Sequence, residues 1–203
     1  MKVALLGASG MVGSRILAEL SRRGHRVTAL ARNPDRIAGL PGVSARAVDA
    51  SDQAALAAAF AGHDAAISAV RFTGSDATLL IGAARAAGVP RYLVVGGAGS
   101  LEVAPGRKLY ETPEFPAIYL NEAKAGGAFL DLLKAEPALD WTFLSPSALI
   151  SPGERTGTFR LGTDQLLTDA DGRSAISAED YAIAFVDEME APKHGRRRFT
   201  VGY

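Results

Sequence analysis

Apolar and polar positions alternate in blocks along this chain of 203 residues. Short runs of consecutive apolar residues are separated by longer segments in which apolar residues recur every three or four positions. The runs predict β-strands that are buried on both faces, and the longer segments predict helices that cover them. The predicted strands are Val3–Leu6, Val27–Ala31, Val43–Val48, Ala65–Val70, Arg91–Val95 and Trp141–Leu144. This alternation is typical of an α/β fold, a doubly wound parallel sheet with helices on both faces.

Capping residues and glycines bound the predicted helices. These helices run from the first glycine turn to Gly24, from Ser51 or Asp52 to Phe60, from Ser75 to Ala87, from about Asn121 to Ala135 and from Ser177 to about Glu190. Between them, residues 101–118 contain three prolines and no clear periodicity, which indicates a functional loop. Residues 157–168 predict a small hairpin, and residues 198–201 predict a last edge strand.

The chain has no repeat, low-complexity tract or linker that would divide it. We therefore expect one domain over residues 1–203, with residues 145–175 as a small elaboration on the substrate side. The size is sufficient for a sizeable buried core.

A glycine-rich turn joins the first strand to the first helix. Its glycines, Gly7, Gly10 and Gly13, follow a G-x-x-G-x-x-G spacing. Glycine lets the backbone turn sharply and approach a pyrophosphate, whose charge suits the free N–H groups of a helix N-terminus. The turn therefore predicts a dinucleotide site, although a structural turn without a ligand has the same pattern. The expected contacts in this turn are Gly7, Ser9, Gly10, Met11, Val12 and Gly13.

The end of the second strand indicates which dinucleotide binds. An NAD site usually has a carboxylate here for the ribose 2′-hydroxyl, whereas this chain has Arg32 followed by Asn33. A guanidinium can bind a 2′-phosphate through several charge-assisted hydrogen bonds, so the sequence favours NADP. Arg32 could instead be a solvated loop charge.

The ends of the next two strands supply the other predicted cofactor contacts. Asp49 could meet the adenine edge or cap the following helix. The residues Ser68, Ala69 and Val70 leave room for a cofactor that crosses the sheet, and they would equally suit core packing.

Composition excludes several other function classes. The chain has 22 basic and 22 acidic residues, which does not favour nucleic acid or an anionic membrane as a partner. It has no cysteine, and its three histidines do not have metal-ligand spacing, so no metal site is expected. The N-terminal apolar run is too short for a signal peptide, which makes a cytoplasmic location the default expectation. Residues 196–198 form an arginine run, which we interpret as a solvated face. We predict that His25 and His63 are surface residues.

Five blocks together resemble a known family. They are GASGMVG after the first strand, ALARNP after the second, VDASD after the third, VVGGAGSL after the fifth and LDWTFLSPSALISPGERTG after the sixth. The chain resembles the atypical short-chain dehydrogenases, and among them the bacterial NAD(P)H-binding proteins described as NADH-flavin reductases, similar to biliverdin IXβ reductase. The resemblance implies a seven-stranded parallel Rossmann sheet and reduction of flavins or other flat conjugated acceptors.

One expected motif is absent. Classical relatives carry a Tyr-x-x-x-Lys pair in which the lysine lowers the pKa of the tyrosine so that it can protonate a carbonyl oxygen. Here Lys124 follows Tyr119 by five positions, and the two side chains can meet only if Tyr119 precedes the helix. Ser100 matches the place where the wider family has a serine or threonine facing the nicotinamide. The candidate catalytic residues are therefore Ser100, Tyr119 and Lys124.

The absent proton donor favours a conjugated acceptor. A flavin, quinone or linear tetrapyrrole can spread the charge of an added hydride and take its proton from water, so FMN or FAD is an expected substrate. Phe72, Tyr119, Ser145 and Pro146 follow strand ends where such a ring would bind, although each could be a packing residue.

Two other functions fit the same residues. One is a redox-sensing regulator that binds NADP and a partner protein without turnover, and the other is an isomerase that uses a tightly bound cofactor. As a reductase, the protein is expected to act on a small molecule, as a monomer or a homodimer.

Overall fold

The computed structural model describes all 203 residues. The strands are β1 Lys2–Leu6, β2 Arg26–Ala31, β3 Val43–Ala47, β4 Ala65–Ser68, β5 Arg91–Val95, β6 Glu102–Ala104, β7 Arg107–Lys108, β8 Trp141–Ser145, β9 Leu149–Ser151, β10 Arg160–Gly162, β11 Ala175–Ser177 and β12 Arg197–Gly202. The α-helices are α1 Met11–Arg22, α2 Gln53–Phe60, α3 Ala77–Ala87, α4 Leu120–Ala135 and α5 Ala178–Glu190. None of these helices has the length and apolar character that crossing a membrane requires.

Eight strands form the main sheet, in the order β10-β12-β8-β5-β4-β1-β2-β3. Seven of them are parallel, and β10 is antiparallel to β12 at one edge. The order reverses between β1 and β4, because the chain runs outward from β1 to β3 and then crosses to the other side. The carboxyl ends of β1 and β4 therefore border the crevice in which such sheets bind ligands.

The central strands have apolar side chains on both faces, as predicted. In β1, Val3 and Leu5 belong to the core cluster beneath α1 and α5, whereas Ala4 and Leu6 belong to the cluster beneath α2, α3 and α4. Each cluster contains 21 buried residues. Because each buried Leu or Phe contributes about 1.5–3 kcal/mol, these two layers fix the sheet between its helices.

Several sequence-based predictions of local structure need correction. Residues 157–168 do not form a hairpin, because β10 pairs with β12 instead. That pairing places β12 between β8 and β10, so β12 is not the edge strand that we predicted. The sheet consequently has eight strands rather than seven. Residues 101–118 contain the short hairpin β6–β7, which their irregular pattern does not reveal.

Three residues predicted to lie on the surface have internal partners. Arg198 belongs to the arginine run that we interpreted as solvated, but its side chain is buried in the protein. His25 is also buried, and its Nε2 lies 2.7 Å from Glu190 Oε1. The ring of His63 is half-buried, with its Nε2 2.8 Å from Thr28 Oγ1. Polar residues of this kind look like surface residues in a sequence because their partners are distant along the chain.

Asp180 fastens the segment before β10 to helix α5. Its carboxylate is fully buried and accepts hydrogen bonds from Thr156 Oγ1 at 2.5 Å, from the Gly157 amide at 2.8 Å and from the Tyr203 hydroxyl at 2.8 Å. Burial by itself would raise the pKa of Asp180, but these hydrogen bonds outweigh it and hold the pKa below its ordinary value. The charged carboxylate therefore stabilises the folded chain.

We expect Asp180→Asn to lower the free energy of unfolding by about 1.5–3 kcal/mol at neutral pH, because an amide cannot accept all three hydrogen bonds. Since the folded-state pKa lies below the unfolded value of about 4, the stabilisation is complete above that pH. It is lost as the pH falls through the folded-state pKa. Urea unfolding at neutral and acidic pH measures both effects.

The exposed Asp187 on the same helix provides the control. It pairs with Arg23 at the surface, so Asp187→Asn should cost less than about 1 kcal/mol. Equal losses in the two variants would contradict the role given to Asp180.

Candidate functional site

The glycine turn after β1 lies against the carboxyl end of β4. Gly7 has φ +86°, and its N–H donates to Leu30 O at 2.9 Å. A Cβ on Gly7 would lie 2.4 Å from Ala69 O and 3.3 Å from Val70 Cγ1. Both the backbone conformation and the close approach therefore require glycine. The same contacts bring the predicted residues Ala69 and Val70 beside the turn.

Gly13 and Gly10 have different roles in this turn. A Cβ on Gly13 would lie 2.1 Å from Gly7 O, so helix α1 could not pack on the turn with any side chain there. A Cβ on Gly10 would meet Gly7 O at 3.3 Å, and Gly10 is exposed. Gly13 is thus required by internal packing, whereas Gly10 leaves an open approach to the backbone.

The N-terminus of α1 has unsatisfied N–H donors. No side chain caps it, and its first turn contains no acidic residue. The first intrahelical bond after Gly10 runs from the Ser14 amide to Gly10 O, so the amides of Met11, Val12 and Gly13 have no partner within the helix. These donors and the positive end of the helix dipole are the chemistry that binds a pyrophosphate. The residues at this turn therefore fit a dinucleotide cofactor.

At the end of β2, Arg32 is exposed beside a short structured turn. Asn33 caps this turn by accepting a hydrogen bond from the Asp35 amide at 3.1 Å. Asp49 follows β3 and accepts bonds from the Ser51 amide and hydroxyl at 2.9 and 2.7 Å. These bonds lower the pKa of Asp49, and the nearby charge of Arg32 adds to the effect. Asn33 and Asp49 thus shape loops next to Arg32, whose guanidinium remains in solvent.

The turn after β5 packs on the end of β8. The Gly96 amide donates to Leu144 O at 2.8 Å, and a Cβ on Gly96 would lie 2.3 Å from the Phe143 ring. Ser145 and Pro146, which follow at the end of β8, are buried. The Ser145 hydroxyl has no hydrogen-bond partner within the protein, and Ser68 at the end of β4 is buried as well.

Ser100 lies at the far end of the β5 turn. It is 6% exposed, and its Oγ accepts a hydrogen bond from Arg198 Nη1 at 3.0 Å. Sequence reasoning missed Arg198 as a residue of this region. The only local signal was an arginine directly before the apolar Phe199, because the partners of Arg198 lie 98 and 34 positions away.

Tyr119 and Lys124 do not form a pair in the structure. Tyr119 directly precedes α4, which satisfies the condition for a meeting, but its side chain is 61% exposed. Lys124 is also exposed, and no hydrogen bond joins the two. A different tyrosine has a lysine beside it, since Lys108 Nζ lies 5.5 Å from the centre of the Tyr110 ring. The Tyr110 amide donates to Gly99 O at 2.9 Å, which holds this residue next to the β5 turn.

Phe72 follows β4 and is half-buried in an aromatic cluster. Its ring centre lies 5.6 Å from that of Phe129 and 6.1 Å from that of Phe143. A Cβ on Gly126 would lie 2.9 Å from the Phe72 ring, so this glycine makes room for it in α4. Glu122 fixes the same loop by accepting a bond from the Phe72 amide at 2.7 Å. Much of the ring surface is therefore already in contact with the protein.

Comparison with known proteins identifies the class. The sequence model of the NAD(P)H-binding family matches residues 7–192, and the chain belongs to this family. It has the Rossmann-type fold and binds a nicotinamide cofactor, as the glycine turn predicts.

Individual relatives resemble the whole chain. It is 41% identical to the Bacillus subtilis protein YwnB, over 99% of this chain and 98% of that protein. A Bacteroides thetaiotaomicron structure described as a "putative epimerase" has 43% identity and a TM-score of 0.95, over 100% of this chain and 96% of that one. A Streptococcus pneumoniae structure described as a "putative NADH-flavin reductase" has 33% identity and a TM-score of 0.85, over 100% and 99% of the two chains.

We expect Gly13→Ala to lose at least about 1–3 kcal/mol of stability and to weaken NADPH binding, because the added methyl group would press on Gly7 O. Thermal unfolding and titration with NADPH measure the two effects. Gly39→Ala is the matched control, since a Cβ at Gly39 meets nothing within 4 Å. A Gly13→Ala variant with the stability and affinity of the Gly39→Ala variant would show that this packing is not required.

Proposed function

We propose that the protein is an NADPH-dependent reductase that transfers hydride to a flat conjugated acceptor such as a flavin or a quinone. The observation that supports this proposal most is the uncapped N-terminus of α1. It presents free amides beside a turn that only glycine can form. Membership of the NAD(P)H-binding family and the likeness to a protein described as an NADH-flavin reductase support the proposal.

The cofactor would lie across the carboxyl edge of the sheet. Its pyrophosphate would bind the α1 amides, and the contacts that we propose are Gly7, Ser9, Gly10, Met11, Val12, Gly13, Arg32, Asn33, Asp49, Ser68, Ala69 and Val70. Arg32 would bind the 2′-phosphate of NADP, because its guanidinium is exposed and no carboxylate occupies the end of β2. The nicotinamide would then reach the turn of residues 96–100.

Once bound, NADPH supplies the hydride. The protein's contribution is to bind the acceptor parallel to the nicotinamide and to exclude water from the contact. Phe72, Tyr119, Ser145 and Pro146 are the residues that we assign to the acceptor, and residues 145–175 form the substrate-side elaboration of what we take to be one domain. The Ser145 hydroxyl is buried and has no hydrogen-bond partner within the protein, so an acceptor would reach it only if the end of β8 moves.

None of the three residues that we predicted as proton donors is placed as a strong donor. Tyr119 and Lys124 are both exposed and unpaired, and Ser100 is a weakly acidic hydroxyl whose oxygen accepts a hydrogen bond from Arg198. An acceptor that delocalises the added charge and takes its proton from water suits this site better than a ketone does. The physiological setting that we propose is cytoplasmic, with a small-molecule substrate and no nucleic acid.

The same weak proton donors support a second candidate, a redox-sensing regulator. Such a protein would bind NADP as described, and its cofactor-bound state would then be recognised by a partner protein. It differs from the reductase in showing no steady-state oxidation of NADPH.

Arg32→Ala should raise the Kd for NADPH by about 10- to 100-fold, which corresponds to charge-assisted hydrogen bonds worth about 1.5–3 kcal/mol, and should leave the Kd for NADH unchanged. Arg26→Ala is the control, because Arg26 is exposed at the opposite end of the same strand. Equal changes in the Kd for NADPH and for NADH would assign Arg32 no part in choosing the cofactor.

Turnover separates the two candidates. We expect NADPH to be oxidised in the presence of FMN, a quinone or biliverdin, measured as the loss of the reduced-nicotinamide absorbance. Tight binding of NADPH without oxidation by any of the three acceptors would favour the regulator instead.

A further inference from the structure

Arg198 is a buried cation at the meeting point of three chain segments. Its side chain is 5% exposed. Nη1 donates to Ser100 O at 2.9 Å and to Ser100 Oγ at 3.0 Å, and Nε donates to Asp164 Oδ1 at 2.7 Å. One guanidinium therefore connects strand β12, the turn after β5 and the segment that follows β10.

Backbone hydrogen bonds join the segment after β10 to strand β6, which follows the β5 turn. The Glu102 amide donates to Asp164 O at 2.8 Å, and the Leu166 amide donates to Glu102 O at 2.9 Å. Strand β6 and residues 164–166 of the substrate-side elaboration thus lie side by side, and Arg198 contacts both Ser100 and Asp164. Because a buried guanidinium without partners costs several kcal/mol of desolvation, Asp164 and Ser100 hold this side chain in one place.

The turn after β5 is held at three points. Gly96 bonds to Leu144 O of β8, Gly99 O accepts the Tyr110 amide at 2.9 Å, and Ser100 O accepts Arg198. The first two attachments are made by backbone atoms of neighbouring segments. The third is made by the side chain of Arg198, so a substitution there removes it without changing any residue of the turn.

We propose that Arg198 is a positioning residue for hydride transfer. By holding Ser100 it sets the position of the turn against which the nicotinamide lies, and through Asp164 it fixes the substrate-side segment relative to that turn. The inference rests on the proposed reductase function. Arg198 acts through Ser100 and Asp164, and it needs no contact with the cofactor or the acceptor.

The test compares Arg198→Met with Arg198→Lys and uses Arg197→Met as the matched control. Arg197 is the preceding residue of β12, and its side chain is exposed. Four quantities are measured: the Kd for NADPH, the fluorescence spectrum of bound NADPH, and both kcat and KM with FMN as acceptor. The fluorescence reports the surroundings of the nicotinamide and requires no turnover.

We expect Arg198→Met to lower kcat by about 10- to 100-fold, because a small displacement of reacting groups has an effect of this size. The Kd for NADPH should change less than about threefold, since the phosphates bind at the distant α1 N-terminus. The fluorescence of bound NADPH should change. Arg198→Lys should recover part of kcat, and Arg197→Met should behave as the wild type does.

Ser100→Ala separates positioning from chemistry. It removes the hydroxyl but keeps the hydrogen bond from Arg198 to the backbone carbonyl, so its loss of kcat should be smaller than that of Arg198→Met. It also remains informative if Arg198→Met fails to fold. If kcat falls in Ser100→Ala at least as much as in Arg198→Met or Arg198→Lys, the Ser100 hydroxyl itself takes part in the reaction. That result would overturn the inference.

Unchanged fluorescence and kcat in folded Arg198→Met and Arg198→Lys would also overturn it. Failure of the reductase proposal has a different signature, because the wild type would then oxidise no NADPH with any acceptor. The fluorescence of bound NADPH in the variants would still report whether Arg198 positions the turn.

Discussion

The close approach of the first glycine turn to the end of β4 is the constraint on which the site depends. Gly7 O lies where a Cβ of Gly13 would be, and Ala69 O lies where a Cβ of Gly7 would be. Without side chains at these two positions, helix α1 can begin directly beside the crevice between β1 and β4. Its free amides consequently point to the place where the strand order reverses, and a dinucleotide placed there can reach the turns after β4 and β5.

Local chemistry accounts for the parts of the fold that the sequence predicts. The turn from Gly7 to Gly13 joins consecutive elements, and the apolar runs of β4 and β5 report burial on both faces within a few residues. The predicted helix over residues 121–135 agrees with α4. A helix of this kind is predictable because the spacing of its apolar residues is a local property of the sequence. The family match over residues 7–192 agrees with this reading of the first strand–helix–strand unit.

Long-range pairing accounts for what the sequence could not predict. Strand β10 becomes part of the main sheet only because β12, some 40 residues later, offers a free edge. That pairing covers the edge of β12 at residues 200–202, and contacts with Ser100 and Asp164 make Arg198 an internal charge. His25 and Asp180 follow the same logic, since each has partners that lie more than 20 positions away. Whether Tyr119 meets Lys124 depends on the backbone conformation of the segment before α4. The five-residue spacing in the sequence does not determine that conformation.

Under the proposed function, one cofactor would span the edge of the sheet from the α1 N-terminus to the turn after β5. Amide NMR shifts recorded during titration with NADPH test it most directly. We expect saturable shifts for the amides of Met11, Val12 and Gly13 together with those of Gly97, Ala98 and Gly99. Shifts confined to other parts of the chain, or shifts at the α1 N-terminus without any at the β5 turn, would contradict it.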